Sequence, residues 1–425
     1  MPTEFQTLPF DHADPKAALA QLPETAAVFA LYGAEAHFEP YVGRTPNLRA
    51  RLARLLQPSA KHPRRLQLAG RVRRIDWHLT GSEFESLLIQ FSLLEQIYGP
   101  KSLERMHLGN PAFVRFLGGN PYPRITVTHK PSIREASWCY GPFPSRSAAE
   151  RFADEALKLF LLRRCIDDLA PNPDHPGCVY SEMKMCLAPC YQGCTDERYA
   201  QEATAVESFL ASRGESRLVV LRTQRDQASA DLEFESAAAI HAQVQRVEAV
   251  RTLAPELVRP FSQLRGVILQ PSSQPDEVAV FLYEKNRLRG PVGYSTLGMR
   301  VQNEQSGSSS LFAQPLAVEA VPETPATPTA LPAEPTAPAK PARGMLEARM
   351  ESALTALAEP EAAAPSPTLR QGHLALLKRW YYRPENRRPG EIFFPSTEGQ
   401  WPVKAILRGV GRVFASKFKP PEAVP

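Results

Sequence analysis

No uninterrupted apolar run in this 425-residue chain approaches the roughly 18 residues that a membrane-spanning helix needs. The opening MPTEFQTLPF has neither a basic start nor an apolar h-region. No membrane partner is therefore expected, and a cytoplasmic protein is. Cysteine is scarce, six in all, and in that compartment disulfides seldom persist. Carboxylates are missing altogether from residues 41–75, where ten Lys or Arg stand. The net charge of +5 is only mildly basic, so placement matters more than the total. An acid-free stretch of this length suits a polyanion such as a phosphate backbone, the alternative being a solvated helical face. Proline, by contrast, is abundant: 42 residues, clustered in a way that marks linkers rather than folded units. The length suggests two or three domains, and 43% hydrophobic residues are enough to bury their cores.

Five of the six cysteines fall within residues 161–194, LLRRCIDDLAPNPDHPGCVYSEMKMCLAPCYQGC. Cys165, Cys178, Cys186 and Cys190 follow a C-x12-C-x7-C-x3-C spacing. Thiolates gathered from a helix end, a Pro-rich loop and a following turn can hold an iron–sulfur cluster or a tetrahedral zinc, since both take about four soft ligands. Spacing alone does not separate the two. A set of buried thiols without metal would be the simpler account if the cysteines were scattered, and they are not.

Along the chain, 27–31 and 37–42 read as short strands around a turn at Gly33, 47–56 as a helix, 71–79 as a third strand and 83–97 as an amphipathic helix. The first 20 residues are a polar lead-in. A helix is predicted from Ser147 to Arg164, opened by Ser147 with Glu150 as a capping box and delivering Cys165. Residues 196–253 read as helical with a break near Gly214, and 263–296 as strands with a turn near Asn286. Residues 315–341 read as an extended Pro-rich linker. Beyond it, 344–357 has helical spacing, HLALLKRWYYR (373–383) mixes cations with aromatics, and GEIFF and WPVKAILRGVGRVFA read as strand and helix. Lys378, Arg379 and Arg383 among Trp380, Tyr381 and Tyr382 suit stacking on bases or gripping a backbone. The alternative is that the aromatics pack against Trp401 and Val403.

The segments GPFPSRSAAERF, KLFLLRRC, PDHPGCVY and MKMCLAPC resemble the cysteine-rich segment of the UvrC excinuclease family and its shorter Cho relatives. The resemblance implies a four-iron cluster (4Fe-4S) on Cys165, Cys178, Cys186 and Cys190, with zinc as the alternative. Cys139 and Cys194 match nothing in the pattern. Residues 23–98 resemble a GIY-YIG nuclease domain, with YVG intact as Tyr41, Val42 and Gly43, and the NLR-x-R start kept as Asn47, Leu48, Arg49 and Arg51. In the family this tyrosine and the second arginine work at the scissile phosphate. Phe29 replaces the first-motif tyrosine, Ala27 a glycine and Arg44 a lysine, and Gln90 falls where the metal-binding glutamate belongs. Mg2+ or Mn2+ chemistry needs a charged oxygen there, which an amide does not supply. Glu83, two helical turns earlier, is the nearest substitute. Residues 231–238 resemble the UVR motif through which UvrC docks on UvrB, which implies partner contacts at Phe234, Ala237, Ala238 and Ile240.

The expected fold class is α+β. The expected organisation is a GIY-YIG-like domain (20–105), a connector and Cys-rich domain (106–195), a helical region (196–255), a small β connector (263–300), a linker (301–344) and a small basic and aromatic module (345–425). The RNase H-like endonuclease domain of the full-length family is expected to be absent. The implied function is nucleotide excision repair: binding DNA through Arg44, Asn47, Arg49, Arg51, Lys378, Arg379 and Arg383, and docking on a UvrB-like protein. A divergent Cho-like nuclease making one incision is the alternative, and a regulator competing for UvrB a third.

Overall fold

The structure, a computed structural model, describes residues 4–11, 13–35, 38–56, 68, 70–131, 134, 136–166, 168–297, 343–359 and 365–416. Most of the predicted linker, and His37, lie outside these residues. The architecture is α+β, and among the described residues no helix is long and apolar enough to cross a membrane.

The first unit comprises β1 (Gln6–Pro9), α1 (Pro15–Ala20), β2 (Ala27–Gly33), β3 (Tyr41–Thr45), α2 (Leu48–Leu56), β4 (Val72–Leu79), α3 (Glu83–Tyr98) and α4 (Lys101–Arg105). Its sheet runs in the order β1-β4-β2-β3. The lead-in is therefore structured: β1 pairs antiparallel with β4, Leu8 opposite Ile75, and covers the edge of that strand. Asn47 starts α2 by accepting the Ala50 amide on Oδ1 at 2.9 Å, and Ser82 starts α3 by accepting that of Glu85 at 3.1 Å.

The second unit pairs β5 (Ala112–Phe116), β6 (Ile125–Thr128), β7 (Cys139–Phe143) and β8 (Arg259–Pro260) in the order β6-β5-β7-β8. Packed against it are α5 (Arg146–Leu157), α7 (Asp196–Ala211), α8 (Glu215–Ala230) and α9 (Phe234–Thr252), with the short α6 (Val179–Glu182) exposed beside the cysteines. Two expectations need correction here. The cap of α5 is Ser145, which accepts the Ala148 amide at 3.1 Å, and not Ser147. The helix also stops at Leu157, so Cys165 arrives on irregular chain rather than on a helix end. The helical region breaks twice, at Gly214 in the left-handed region (φ 87°) and at Leu232 (φ 62°). The second break turns α8 back along α9 as an antiparallel hairpin.

The third sheet lies at the centre of the molecule. β9 (Gly266–Pro271), β10 (Glu277–Glu284) and β11 (Arg287–Ser295) form a meander whose β10–β11 turn places Lys285 and Asn286 at φ 51° and 62°. Three helices and a strand from the end of the chain join it: α10 (Arg343–Ala358), α11 (Pro367–Tyr381), β12 (Glu391–Phe393) and α12 (Val403–Ser416). β12 pairs antiparallel with β9, Ile392 opposite Ile268, so the segments expected as a β connector and a separate C-terminal module share one sheet. Both faces of that sheet are buried. Val278, Val280 and Leu282 pack with α10 and α12, whereas Ala279, Phe281 and Tyr283 pack with α3 and α11.

α3 and α11 run antiparallel, held at both ends. Ser366 donates to Glu95 at 2.8 Å where α11 begins, and Arg383, just beyond its end, reaches Glu83 at the start of α3. Midway, Gly372 meets the ring of Phe91, which only a residue without a side chain allows.

Candidate functional site

The segments expected as nuclease motifs fall on β2, β3 and the start of α2 in the first unit. β2 and β3 pair Phe29 opposite Gly43 and Leu31 opposite Tyr41. Phe29 is buried, its ring lying over Gly43 and 6.1 Å from that of Tyr41. The first-motif position is thus a core residue with no hydroxyl to offer. Tyr41 and Gln90 are half-buried.

The charge at this site is settled by Glu83. Arg383 donates Nη1 to Glu83 Oε2 at 2.6 Å and Nη2 to Oε1 at 3.0 Å, and Arg44 Nη2 lies 3.1 Å from the same Oε1. The bidentate Arg383 hydrogen bonds come first among the effects holding the Glu83 carboxyl below its usual range. Both carboxylate oxygens are committed to guanidinium groups, two cations to one anion, so the cluster is net positive. Glu83, expected as the nearest substitute for a metal-binding carboxylate, is thus engaged as a clasp between the start of α3 and the end of α11.

The other predicted phosphate contacts divide in the same way. Arg49 is held at home, Nε to the Leu22 carbonyl at 2.7 Å and Nη1 to Glu24 at 2.6 Å. Asn47 caps α2. The Arg51 guanidinium has no partner among the described residues and, with Tyr41, keeps its polar group available. Acids from outside the acid-free stretch reach in, pairing Arg71 with Glu35 and Arg74 with Asp76. Lys61, Arg64 and Arg65 lie outside the described residues.

The aromatic tail does not present a stacking face. Trp380 is 2% exposed and packs 5.4 Å from Phe84, and the Tyr382 hydroxyl donates to the Pro142 carbonyl at 2.7 Å. The packing partner is α3 rather than Trp401 and Val403, which sit against the far face of the central sheet. Lys378 is half-buried, and only Arg379 of the three predicted cations is exposed.

The cysteines converge. Cys165, Cys178, Cys186 and Cys190 line one small cavity, together with Arg163 and Tyr180. Cys178 precedes α6, its amide donating to Ser181 Oγ at 3.0 Å. Cys186 Sγ accepts the Ala188 amide at 3.2 Å, while burial pushes its thiol up to about 11. Burial also raises Cys190. Among the described residues no three His, Cys, Asp or Glu come together tightly enough to hold an ion. Cys194 stands apart from the cavity and Cys139 is buried in β7.

One residue here was missed in the sequence. Arg163 is 2% exposed, donates Nε to the Tyr122 carbonyl at 2.9 Å, and aims Nη1 at Cys165 Sγ from 3.5 Å. The paired arginines before Cys165 were the available signal, since a guanidinium that becomes buried must find acceptors nearby.

The hairpin tip is exposed: Leu232 at 72% and Phe234 at 66%, adjoining the α8–α9 turn. Ala238 is exposed, while Ala237 and Ile240 are half-covered. Leu232, at the turn itself, was not foreseen.

Residues 114–209 match the family described as UvrC/Cho excinuclease, middle domain, which spans both the β5–β7 strands and the cysteine cavity. Among characterised proteins the chain is similar to UvrABC system protein C of Alcanivorax borkumensis, 32% identical over 238 residues, covering 56% of this chain and 39% of that protein. The same protein of Aliivibrio fischeri is 29% identical over 239 residues, with the same shares covered. That of Pseudomonas aeruginosa is 29% identical over 231 residues, 54% of this chain and 38% of that one. Over this part the chain is UvrC-like, as its motifs implied, and it spans about 39% of the length of the relatives it matches. No solved structure matches it.

Proposed function

We propose that the chain is a DNA-binding protein of nucleotide excision repair whose GIY-YIG face grips the phosphate backbone without cutting it. The observation that carries this reading is the occupied Glu83 carboxylate, both oxygens bound by Arg383 and Arg44, together with a neutral glutamine two turns further along α3 at position 90, where the family resemblance expects the metal-binding carboxylate. A divalent ion would have to displace two guanidinium groups to find one charged oxygen, and Mg2+ binds through carboxylates. Tyr41, Arg51 and the outer edge of Arg44 remain to contact phosphate.

Cys165, Cys178, Cys186 and Cys190 would hold an iron–sulfur cluster. Four thiolates around one zinc at about 2.3 Å each would draw within about 4 Å of one another. The preference for a cluster over zinc rests on the likeness of the cysteine segment to the UvrC/Cho family. When bound, such a cluster supplies redox poise or structural cross-linking. The residues of this chain around it donate Arg163 and the Ala188 amide to sulfur and exclude water. Leu232 and Phe234 at the hairpin tip form the contact for a UvrB-like partner, with Ala237, Ala238 and Ile240 behind them.

Binding to a lesion-containing duplex, followed by fluorescence anisotropy across a salt series, tests the main reading. Affinity should fall steeply with salt, and Arg51→Ala should weaken it about fivefold to tenfold, a typical loss for one phosphate contact. Binding that is insensitive to both would remove the proposal. Anaerobically purified protein should be brown and lose its colour in Cys178→Ser. Colourless, zinc-loaded protein would contradict the cluster assignment.

A further inference from the structure

Away from the nuclease motifs and the cysteines, a cavity of about 240 Å3 opens where three parts of the fold meet. The chain just outside the β5–β6 hairpin forms one wall, the β10–β11 turn another, and the first two turns of α11 the floor. None of the expected functions uses it.

Its chemistry is specific. Lys130 and Arg370 are its cations, neither has a side-chain partner among the described residues, and no described carboxylate lines it. Asn110, Asn286 and Gln371 add amides that both donate and accept. Asn286 is fixed by the Tyr283 hydroxyl, which donates to its Oδ1 at 3.3 Å and leaves the amide nitrogen for a ligand. His129 Nδ1 lies 3.1 Å from the Asn110 carbonyl, which makes Nδ1 the donor and leaves Nε2 for a ligand. Phe261 and Leu374 supply the apolar surface.

We infer that this cavity binds one nucleotide, its phosphate between Lys130 and Arg370 and its base against Phe261 and Leu374 with its edge read by the amides. Two unopposed cations call for an anion. Amide side chains of mixed donor and acceptor character match a base edge, as a simple phosphate site would not need. The volume falls just below the range of roughly 300–1,000 Å3 for ordinary ligand sites, so it holds a single nucleotide and not a dinucleotide cofactor. The source is either a free nucleotide or an unpaired nucleotide of a bound strand, the latter resting on the proposed DNA-binding role. α11 connects this cavity to the Arg383–Glu83 clasp, about 20 Å away along its 15 residues.

Calorimetry with deoxyadenosine monophosphate, deoxyadenosine and inorganic phosphate, on the full chain, tests the inference. The monophosphate should bind, the nucleoside and phosphate should each bind far more weakly, and Lys130→Ala and Arg370→Ala should each weaken binding about tenfold. Circular dichroism should be unchanged in both variants. If both variants also weaken a single-stranded oligonucleotide about tenfold, the bound strand is the source. If they leave it unaffected while losing the monophosphate, the ligand is a free nucleotide. No monophosphate binding, equal binding of phosphate alone, or unchanged affinity in both variants would overturn the inference. Duplex binding through Arg51 is read separately, so its failure would leave this result standing.

Discussion

Gly372→Ala should destabilise the protein, although alanine is the better helix former. A Cβ at this position would overlap the Phe91 ring, where even the third-nearest ring atom is 2.6 Å away, against about 3.5–4.0 Å for a relaxed carbon contact. Phe91 cannot yield: it is fully buried and flanked by the His373 ring at 5.9 Å. Helix α11 must therefore move off α3 by more than an ångström. Overpacking of this kind costs about 1–3 kcal/mol, while replacing a helical glycine gains about 1 kcal/mol. The net effect is a loss of up to about 2 kcal/mol by denaturant unfolding. Retreat of α11 would also stretch the Arg383–Glu83 contact, so α11 amides should exchange faster with solvent. If Gly372→Ala is instead stabilised by about 1 kcal/mol, with exchange unchanged, α11 is not seated on Phe91 and the clasp reasoning fails with it.

A double-mutant cycle on Glu83→Ala and Arg383→Ala should give a coupling of about 1 kcal/mol, modest because both side chains are partly exposed; a coupling near zero would show that the clasp contributes nothing in solution. Burial lifts Glu85 to about 7 from 4.5, so the folded chain holds a proton there that the unfolded chain releases, and stability falls as pH rises through that window. The full effect is about 3 kcal/mol, and Glu85→Gln should remove it, whereas unfolding profiles parallel to wild type at every pH would refute the assignment. His373 acts in the opposite sense: buried and neutral, accepting the Leu288 amide on Nδ1 at 3.0 Å and depressed to about 3, it makes stability fall as pH drops below 6.5. The rising slope left in Glu85→Gln should therefore disappear in Glu85→Gln/His373→Phe.

Within the first unit β2 to α3 were legible because each has a local cause, a short apolar run in β2 and apolar helical spacing in α3, and the turn near Asn286 in the third sheet was legible likewise, whereas β1 and α1 in the polar lead-in were not. The helices and strand of the C-terminal segment were legible for the same reason. Their docking was not, because nothing local to HLALLKRWYYR says whether its aromatics face solvent or a helix some 300 positions earlier. Gly372 was the one trace of that packing, a glycine inside an apolar helix, and its meaning depends on Phe91 lying opposite. The four spaced cysteines do line one cavity, yet Arg163 went unnoticed because nothing in the sequence distinguishes it from Arg164. That position 90 holds a neutral glutamine was visible in the sequence. That Glu83 is already engaged by two arginines, one of them from the far end of the chain, required the structure.

The measurement that bears most directly on the central claim is strand incision in a lesion-containing duplex with Mg2+ or Mn2+. The account predicts that the duplex is bound and recovered whole with either ion, in wild type and in Arg383→Ala alike. Nicked product that requires the metal and disappears in Glu83→Ala would contradict it.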